Sequence, residues 1–173
     1  MRMYINKEDI YKGRATLLGA DVIVTKGTSL FDRLTQIFTF SKWNHAALVL
    51  NDYGDIAELT AFGIKRHNLF ARYHKKDFYI IRLDLLKEDR IQAIQYALTM
   101  LKRHSRYGFL TIISIMFKII FKSHLVVKIN GTLICSEFVA KALEHAGVIW
   151  SKDTSLITPA DLFNFFVKKD GTK

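Results

Sequence analysis

The sequence predicts an α+β domain in which a central antiparallel sheet is preceded and followed by helices along the chain. Two observations support this fold class. Short apolar runs bounded by turn residues cluster between positions 21 and 83, which is typical of strands. On either side of this sheet region, apolar residues recur every three or four positions, which is typical of amphipathic helices. The length of 173 residues and the single proline indicate one folded domain over residues 1–173.

The strands are predicted in order along the chain. Residues 21–25 (DVIVT) form a short apolar run, and residues 45–50 (HAALVL) form a nearly continuous one. The turn residues 51–55 (NDYGD) then predict a hairpin in which residues 56–60 pair back against the run before them. Residues 78–83 (FYIIRL) predict one further strand.

Helices are predicted on both sides of these strands. Apolar residues spaced three or four apart predict one helix over about residues 30–40 and another over 88–103. A helix that opens at Cys135 should stop near residue 147, a glycine of the kind that often follows a helix. Residues 158–161 (TPAD) combine a threonine cap, a proline and an acid, and they predict the start of a last helix.

The charge of the chain is concentrated in one region. Of the net charge of +10, +7 lies between Arg90 and Ser136, where there is no Asp or Glu. A surface of this kind attracts anionic partners, although a solvated basic face with no dedicated partner is the alternative. The apolar residues between the bases are aliphatic as often as aromatic, which argues against nucleic acid. We therefore expect peripheral contact with an anionic membrane through residues 102–128.

The same region contains a long apolar run, residues 109–121 (FLTIISIMFKIIF). Thirteen positions with a lysine among them are too few for a membrane-spanning helix, which needs about 20 residues. Two interpretations remain open. The run is either a buried core helix or, because its apolar residues surround the helix and bases flank it, a segment that contacts membrane or a lipid substrate.

Cys135 is the only cysteine of the chain, and it stands where a β-like apolar segment turns into a helix. The free N–H groups and the dipole of a helix that starts there favour thiolate over thiol, so Cys135 is a candidate nucleophile. The alternative is a buried cysteine that serves as a small apolar side chain. A single cysteine forms no intramolecular disulfide, and no apolar leader opens the sequence, so we expect a cytoplasmic protein.

A thiolate nucleophile needs a base and a third group that orients the base. Of the six histidines, His45 alone opens an apolar strand; the others, His67 among them, stand in polar, basic or helix-surface contexts and are predicted to be surface residues. Glu58 lies on the hairpin partner strand, and the turn places it within a residue or two of the position opposite residues 45–48. A carboxylate among apolar residues is costly unless it is paired. A His45–Glu58 pair would meet that need, while an outward-facing Glu58 is the alternative.

These motifs occur in the order and spacing of a known family. The strand motif 21–24, the segment 43–49 (WNHAALV), Glu58 between Ala57 and Leu59, the segment 134–139 (ICSEFV) and the segment 158–162 (TPADL) cover most of the chain. Together they resemble the circularly permuted NlpC/P60 group of papain-like enzymes, in particular the YiiX/YaeF type, with lecithin–retinol acyltransferases as more distant relatives. One departure is Ala20, which separates the Gly and Asp that are adjacent in the family.

The resemblance implies a papain-like fold and a cysteine hydrolase that works through a thioester. It implies that Cys135 is the nucleophile, His45 the general base and acid, and Glu58 the residue that orients His45. The backbone N–H of Cys135 is the expected oxyanion donor, with Trp43, Asn44 and Ser136 as further oxyanion or substrate-binding candidates. The expected substrate is a small peptide or a lipid amide or ester, and no cofactor is expected.

Three alternatives follow from the same residues. The first is acyl transfer, in which an amine or alcohol releases the acyl group in place of water. The second is a non-catalytic basic module that binds anionic membrane or nucleic acid, with Cys135 incidental. The third is a zinc site formed by Cys135, His45 and Glu58, which the absence of closely spaced ligand pairs such as Cys-x-x-Cys makes the weakest of the three. We therefore expect no metal.

Overall fold

The structure, a computed structural model, describes residues 3–26, 43, 45–60, 63–103 and 135–167. Within them the chain is α+β, with five helices and one six-stranded antiparallel sheet. The strands are β1 (Met3–Asn6), β2 (Val22–Thr25), β3 (His45–Val49), β4 (Asp55–Thr60), β5 (Gly63–Asn68) and β6 (Phe78–Arg82). The helices are α1 (Lys7–Tyr11), α2 (Leu69–Tyr73), α3 (Lys87–Lys102), α4 (Cys135–His145) and α5 (Pro159–Val167), with a 3-10 turn at Thr154–Leu156.

The order of strands in the sheet is β1-β6-β2-β3-β4-β5, and each neighbouring pair is antiparallel. The predicted strands over 21–25, 45–50, 56–60 and 78–83 are confirmed as β2, β3, β4 and β6. These are the central strands, which are buried along most of their length and therefore carry apolar runs.

The two edge strands, β1 and β5, have no predicted counterpart. β5 reads GIKRHN, and only its first two residues are buried. An edge strand has one neighbour in place of two and carries more polar side chains, so its apolar pattern is weak. Apolar patterning therefore predicts the edge strands less well than the central ones.

The predicted helices at about 88–103, at 135 and after 158 are confirmed as α3, α4 and α5. At the end of α4, Gly147 has φ +76°, the left-handed conformation that glycine adopts readily after a helix. The predicted helix near 30–40 and the apolar run 109–121 lie outside the described residues, as does all of the segment 102–128 beyond residue 103. No helix in the described part of the chain is long and apolar enough to cross a membrane.

The sheet has a buried cluster on each face. Successive residues of a strand point to opposite faces, so Ala46 and Leu48 of β3 contribute to one cluster, and Ala47 and Val49 to the other. Helix α4 belongs to the first cluster, through apolar residues such as Phe138. This packing holds the N-terminus of α4 beside the start of β3.

Candidate active site

Cys135 is the first residue of α4, and its side chain is partly buried. Burial by itself raises the pKa of the thiol. A hydrogen bond from His45, the positive charge of the protonated imidazole, and the backbone N–H groups of Ala46 and Ser136 outweigh that effect, so the pKa of Cys135 lies below its usual value. These are donors that stabilise a thiolate at a helix N-terminus.

His45 opens β3 and connects two parts of the site. Its Nε2 atom lies 2.7 Å from Oε2 of Glu58. The imidazole also hydrogen-bonds the sulfur of Cys135, which leaves Nδ1 as the ring nitrogen that faces the thiol. Burial by itself lowers the pKa of His45, but the hydrogen bonds to Cys135 and Glu58 and the charges of both side chains raise it to about 10. The side chain remains 22% exposed.

Glu58 is 1% exposed and accepts hydrogen bonds on both carboxylate oxygens. Oε2 accepts from His45 and, at 2.5 Å, from the hydroxyl of Tyr73. Oε1 accepts from Nε of Arg72 at 2.7 Å. Burial by itself raises the pKa of Glu58; His45, Tyr73 and Arg72 reverse that effect and lower the pKa to about 2. Glu58 is therefore an acceptor-only carboxylate, and Nε2–H of His45 donates to it.

The predicted pairing of His45 with Glu58 is present, and the cross-strand register explains it. Ala47 of β3 is the partner of Glu58 on β4, and His45 lies two residues before Ala47 on the same face of the sheet. The side chain of His45 therefore points to the face that carries Glu58. The alternative of an outward-facing Glu58 is wrong, since its side chain is buried.

Three side chains around Glu58 have no counterpart in the sequence prediction. Tyr73 and Arg72 lie on the short helix α2, and His67 lies on β5. Nδ1 of His67 is 2.8 Å from Oε1 of Glu58, in a direction that does not form a hydrogen bond. The sequence assigns His67 to the surface, and its side chain is indeed 35% exposed, yet its ring reaches the carboxylate. Strand alternation gives a weak indication of this contact. Ile56 and Glu58 lie two residues apart on β4 and share a face, and His67 is the partner of Ile56, so His67 lies on that face too.

The remaining predicted residues have different surroundings. Trp43 is 5% exposed, and its ring packs against Tyr79 and Phe163 at centroid distances of 5.2 and 4.9 Å. The hydroxyl of Ser136 donates to the carbonyl of Ile157 at 2.5 Å and joins α4 to the segment after the 3-10 turn. The side chain of Ser136 is thus committed to the fold, while its backbone N–H faces the sulfur of Cys135. Asn44 lies outside the described residues.

A recess of about 600 Å³ lies at the same end of the sheet as His45. Thr25 at the end of β2 pairs with His45 on one side and with Phe78 on the other. Phe78 lines the recess, as do Trp43 and Lys26, the residue that follows β2. Within the described ranges, no group of three or more His, Cys, Asp or Glu side chains is arranged to hold a metal ion.

The arrangement joins a thiol, an imidazole and a carboxylate in one hydrogen-bonded series. The lowered pKa of Cys135 and the raised pKa of His45 both favour a thiolate beside an imidazolium over a neutral thiol beside a neutral imidazole. Such a pair can attack an electrophilic carbon through sulfur and donate a proton through nitrogen. Compared with known protein families and with curated proteins, the chain matches none.

Proposed function

We propose that this protein is a cysteine hydrolase that cleaves an acyl bond through a thioester, with a circularly permuted NlpC/P60 papain-like fold. The observation that carries the proposal is the series Cys135–His45–Glu58, in which each side chain hydrogen-bonds the next. The motif resemblance supports it independently, because the same three residues would hold these roles there.

In the proposed first half-reaction, the thiolate of Cys135 attacks the carbonyl carbon of the substrate. The carbonyl oxygen becomes an oxyanion, and the backbone N–H of Cys135 at the helix N-terminus donates a hydrogen bond to it. The bond to the leaving amine or alcohol then breaks, and His45 gives its Nδ1 proton to that leaving group. The products are an acyl-thioester on Cys135, the free amine or alcohol, and a neutral imidazole.

In the second half-reaction, the neutral imidazole of His45 takes a proton from water, and the resulting hydroxide attacks the thioester carbon. The bond to sulfur breaks, which releases the acid and restores the thiolate and imidazolium. Throughout both steps Glu58 remains ionised and holds the ring orientation of His45 through Nε2. If an amine or alcohol took the place of water, the same residues would carry out acyl transfer.

The substrate that we propose is a small peptide or a lipid amide or ester. The recess at the end of the sheet is lined by aromatic residues, Tyr11, Trp43, Phe78 and Tyr79 among them, so it offers room and apolar surface for an acyl or leaving group. Contact of residues 102–128 with an anionic membrane is part of the same proposal and is supported by the excess of basic residues there.

The decisive experiment measures the rate of Cys135 alkylation by iodoacetamide against pH in the wild type and in His45→Ala. We expect a wild-type midpoint well below about 8.5, and a midpoint that moves upward when His45 is removed. His145→Ala is the matched control, because His145 lies at the far end of the same helix and its Nδ1 atom is hydrogen-bonded to the carbonyl of Lys141. That variant should keep the wild-type profile.

Incubation with activated amides and esters then tests the chemistry. We expect mass spectrometry to find an acyl group on Cys135, with release of the free acid and no product from Cys135→Ala. An ordinary thiol profile that His45→Ala leaves unchanged, together with no acyl adduct, would contradict the proposal and favour the basic binding module.

A further inference from the structure

We propose that Tyr73 is a positioning residue of this site, and that its hydroxyl orients the Glu58 carboxylate toward His45. The inference rests on the proposed function, since it concerns how the nucleophile and its base are arranged. Tyr73 lies on α2, 15 residues after Glu58 along the chain, and its side chain is 1% exposed.

The geometry of the carboxylate carries this inference. The hydroxyl of Tyr73 donates to Oε2 of Glu58, the same oxygen that accepts from Nε2 of His45. Arg72 occupies the other oxygen, Oε1, through its Nε atom. A carboxylate oxygen has two lone-pair directions, so Tyr73 fills one direction on Oε2 and leaves the other for His45. With Arg72 on the far oxygen, the carboxylate plane cannot rotate without breaking a hydrogen bond.

Packing and charge do not account for the hydroxyl. The ring of Tyr73 packs near Phe78, with a centroid distance of 6.4 Å, and a phenylalanine ring would fill the same space. Arg72 already supplies the positive charge that an ionised, buried Glu58 needs. The hydroxyl instead fixes the orientation of the Glu58 carboxylate, because a hydrogen bond is strong only when the donor points along a narrow range of directions to the acceptor.

Helix α2 is fixed at both ends, which gives Tyr73 a defined place. At its start, the side chain of Asn68 accepts from the backbone N–H groups of Phe70 and Ala71. At its end, the ammonium group of Lys7 donates to three carbonyls, those of Tyr73, His74 and Lys76. A five-residue helix is too short to be stable alone, so these contacts hold it in position.

The test compares Tyr73→Phe with the wild type in the alkylation-pH experiment. If the hydroxyl orients Glu58, its loss lets the carboxylate turn, weakens the stabilisation of the imidazolium and raises the midpoint of Cys135. We expect the alkylation rate near pH 6 to fall about 5- to 10-fold, with the limiting rate at high pH unchanged. Tyr96→Phe is the matched control, because Tyr96 is a partly buried tyrosine that stacks on Phe138 away from Glu58. It should keep the wild-type midpoint.

A double variant shows whether Tyr73 acts through Glu58. In a Glu58→Gln background, Tyr73→Phe should produce no additional shift of the Cys135 midpoint. A slowly exchanging Tyr73 hydroxyl proton in the NMR spectrum of the wild type is also expected, and this measurement does not depend on the folding of a variant.

The outcomes separate the two proposals. A wild-type midpoint at the ordinary thiol value would overturn the proposed function, and the role of Tyr73 with it. A low wild-type midpoint that rises in His45→Ala but is unchanged or lower in folded Tyr73→Phe would overturn the positioning role alone. A full additional shift in the Glu58→Gln background, or a Tyr73 hydroxyl that exchanges freely, would also overturn it.

Discussion

Two buried carboxylates, Asp21 and Glu58, differ in the groups that bind them. Asp21 is 0% exposed, and its oxygens accept from Arg82 at 2.7 Å, from Arg90 at 3.2 Å and from the backbone N–H of Leu18 at 3.0 Å. Glu58 has one arginine, one tyrosine and two histidines around it. Both satisfy the rule that a buried charge must be paired, but only Glu58 is hydrogen-bonded to a histidine, a side chain that can both donate and accept a proton.

The difference in partners corresponds to a difference in place. Asp21 stands just before β2, and Val49 at the end of β3 donates its backbone N–H to the Asp21 carbonyl at 2.9 Å. His45 lies at the opposite end of β3, where the N-terminus of α4 meets the sheet, and Glu58 is hydrogen-bonded to it from β4. Arg90 of α3 also donates to the carbonyls of Gly19 and Leu83, so the Asp21 cluster connects α3 to the loop before β2 and to the end of β6. Because arginine stays protonated, the charges in this cluster are fixed. Histidine gains and loses its proton, so the Glu58 cluster is suited to chemistry.

The largest effect should come from Asp21→Asn, and it should be an effect on stability alone. Removing the charge leaves Arg82 and Arg90, whose side chains are 17% and 15% exposed, without a carboxylate. We expect a loss of about 3–5 kcal/mol in the free energy of unfolding, measured by urea denaturation. In the folded variant, the pH profile of Cys135 alkylation should match that of the wild type.

A shifted alkylation profile in folded Asp21→Asn would contradict this separation, because it would connect the Asp21 cluster to the nucleophile. The matched comparison is Asp55→Asn, which removes a more exposed carboxylate from Arg66. A surface pair of this kind contributes little, so that variant should lose well under half as much stability.

Glu58→Gln should show the reverse pattern, with a large effect on reactivity and a smaller one on stability. The amide cannot stabilise an imidazolium as a carboxylate does, so the midpoint of Cys135 rises. We expect the alkylation rate near neutral pH to fall about 10-fold or more, since a hydrogen bond to a charged group contributes about 1.5–3 kcal/mol. The loss of unfolding free energy should be about 1–3 kcal/mol, less than for Asp21→Asn.

The two variants together form a test of the comparison. If Glu58→Gln lowers stability as much as Asp21→Asn does and leaves the Cys135 profile unchanged, Glu58 is a structural carboxylate like Asp21. Circular dichroism should accompany both measurements, so that reactivity is compared only between folded proteins.

The smallest expected effect is on the pH dependence of stability. The pKa of His45 is raised, so its contribution is complete below about pH 6.5 and is lost as pH rises toward 10. The pKa of Cys135 is lowered, so its contribution is complete above about pH 8.5 and is lost as pH falls. As pH rises between these values the contribution of Cys135 grows while that of His45 declines, so the two partly offset each other.

His45→Ala is the control for this prediction. Without His45, the pKa of Cys135 should rise toward its usual value, so the decline of stability that Cys135 causes between about pH 6.5 and 5 should shrink. Thermal melts of both proteins across this range measure the difference. Equal slopes in the two proteins would show that His45 and Cys135 titrate as independent groups, contrary to the hydrogen bond between them.

The hairpin illustrates what sequence alone can predict about a site. Residues 45–50 and 56–60 are joined by a short turn, so their pairing follows from local pattern, and Glu58 is found opposite Ala47 as expected within a residue or two. Cys135 at a helix start is local in the same sense, because the helical periodicity after it is visible in the sequence. The pairing of β3 with β4 and the positions of α3, α4 and α5 were predictable for this reason.

The surroundings of Glu58 were not predictable in this way. The carboxylate is reached by Tyr73 and Arg72 from α2, a five-residue helix, and by His67 from β5, an edge strand. Neither element shows much apolar periodicity. The Asp21 cluster is similar, since Arg82 lies 61 positions and Arg90 69 positions along the chain from Asp21. A polar side chain gives no sign in the sequence of which distant partner it will meet.

The sequence by itself determined the fold class, the central strands, and the three side chains that we assign to the chemistry, because each depends on a pattern within a few residues. Only the tertiary structure decided that His45 meets Cys135, that Glu58 is buried and ionised, and that Tyr73 shares an oxygen with His45. The physical reason is that burial and hydrogen-bond direction depend on packing between elements that are far apart in the chain.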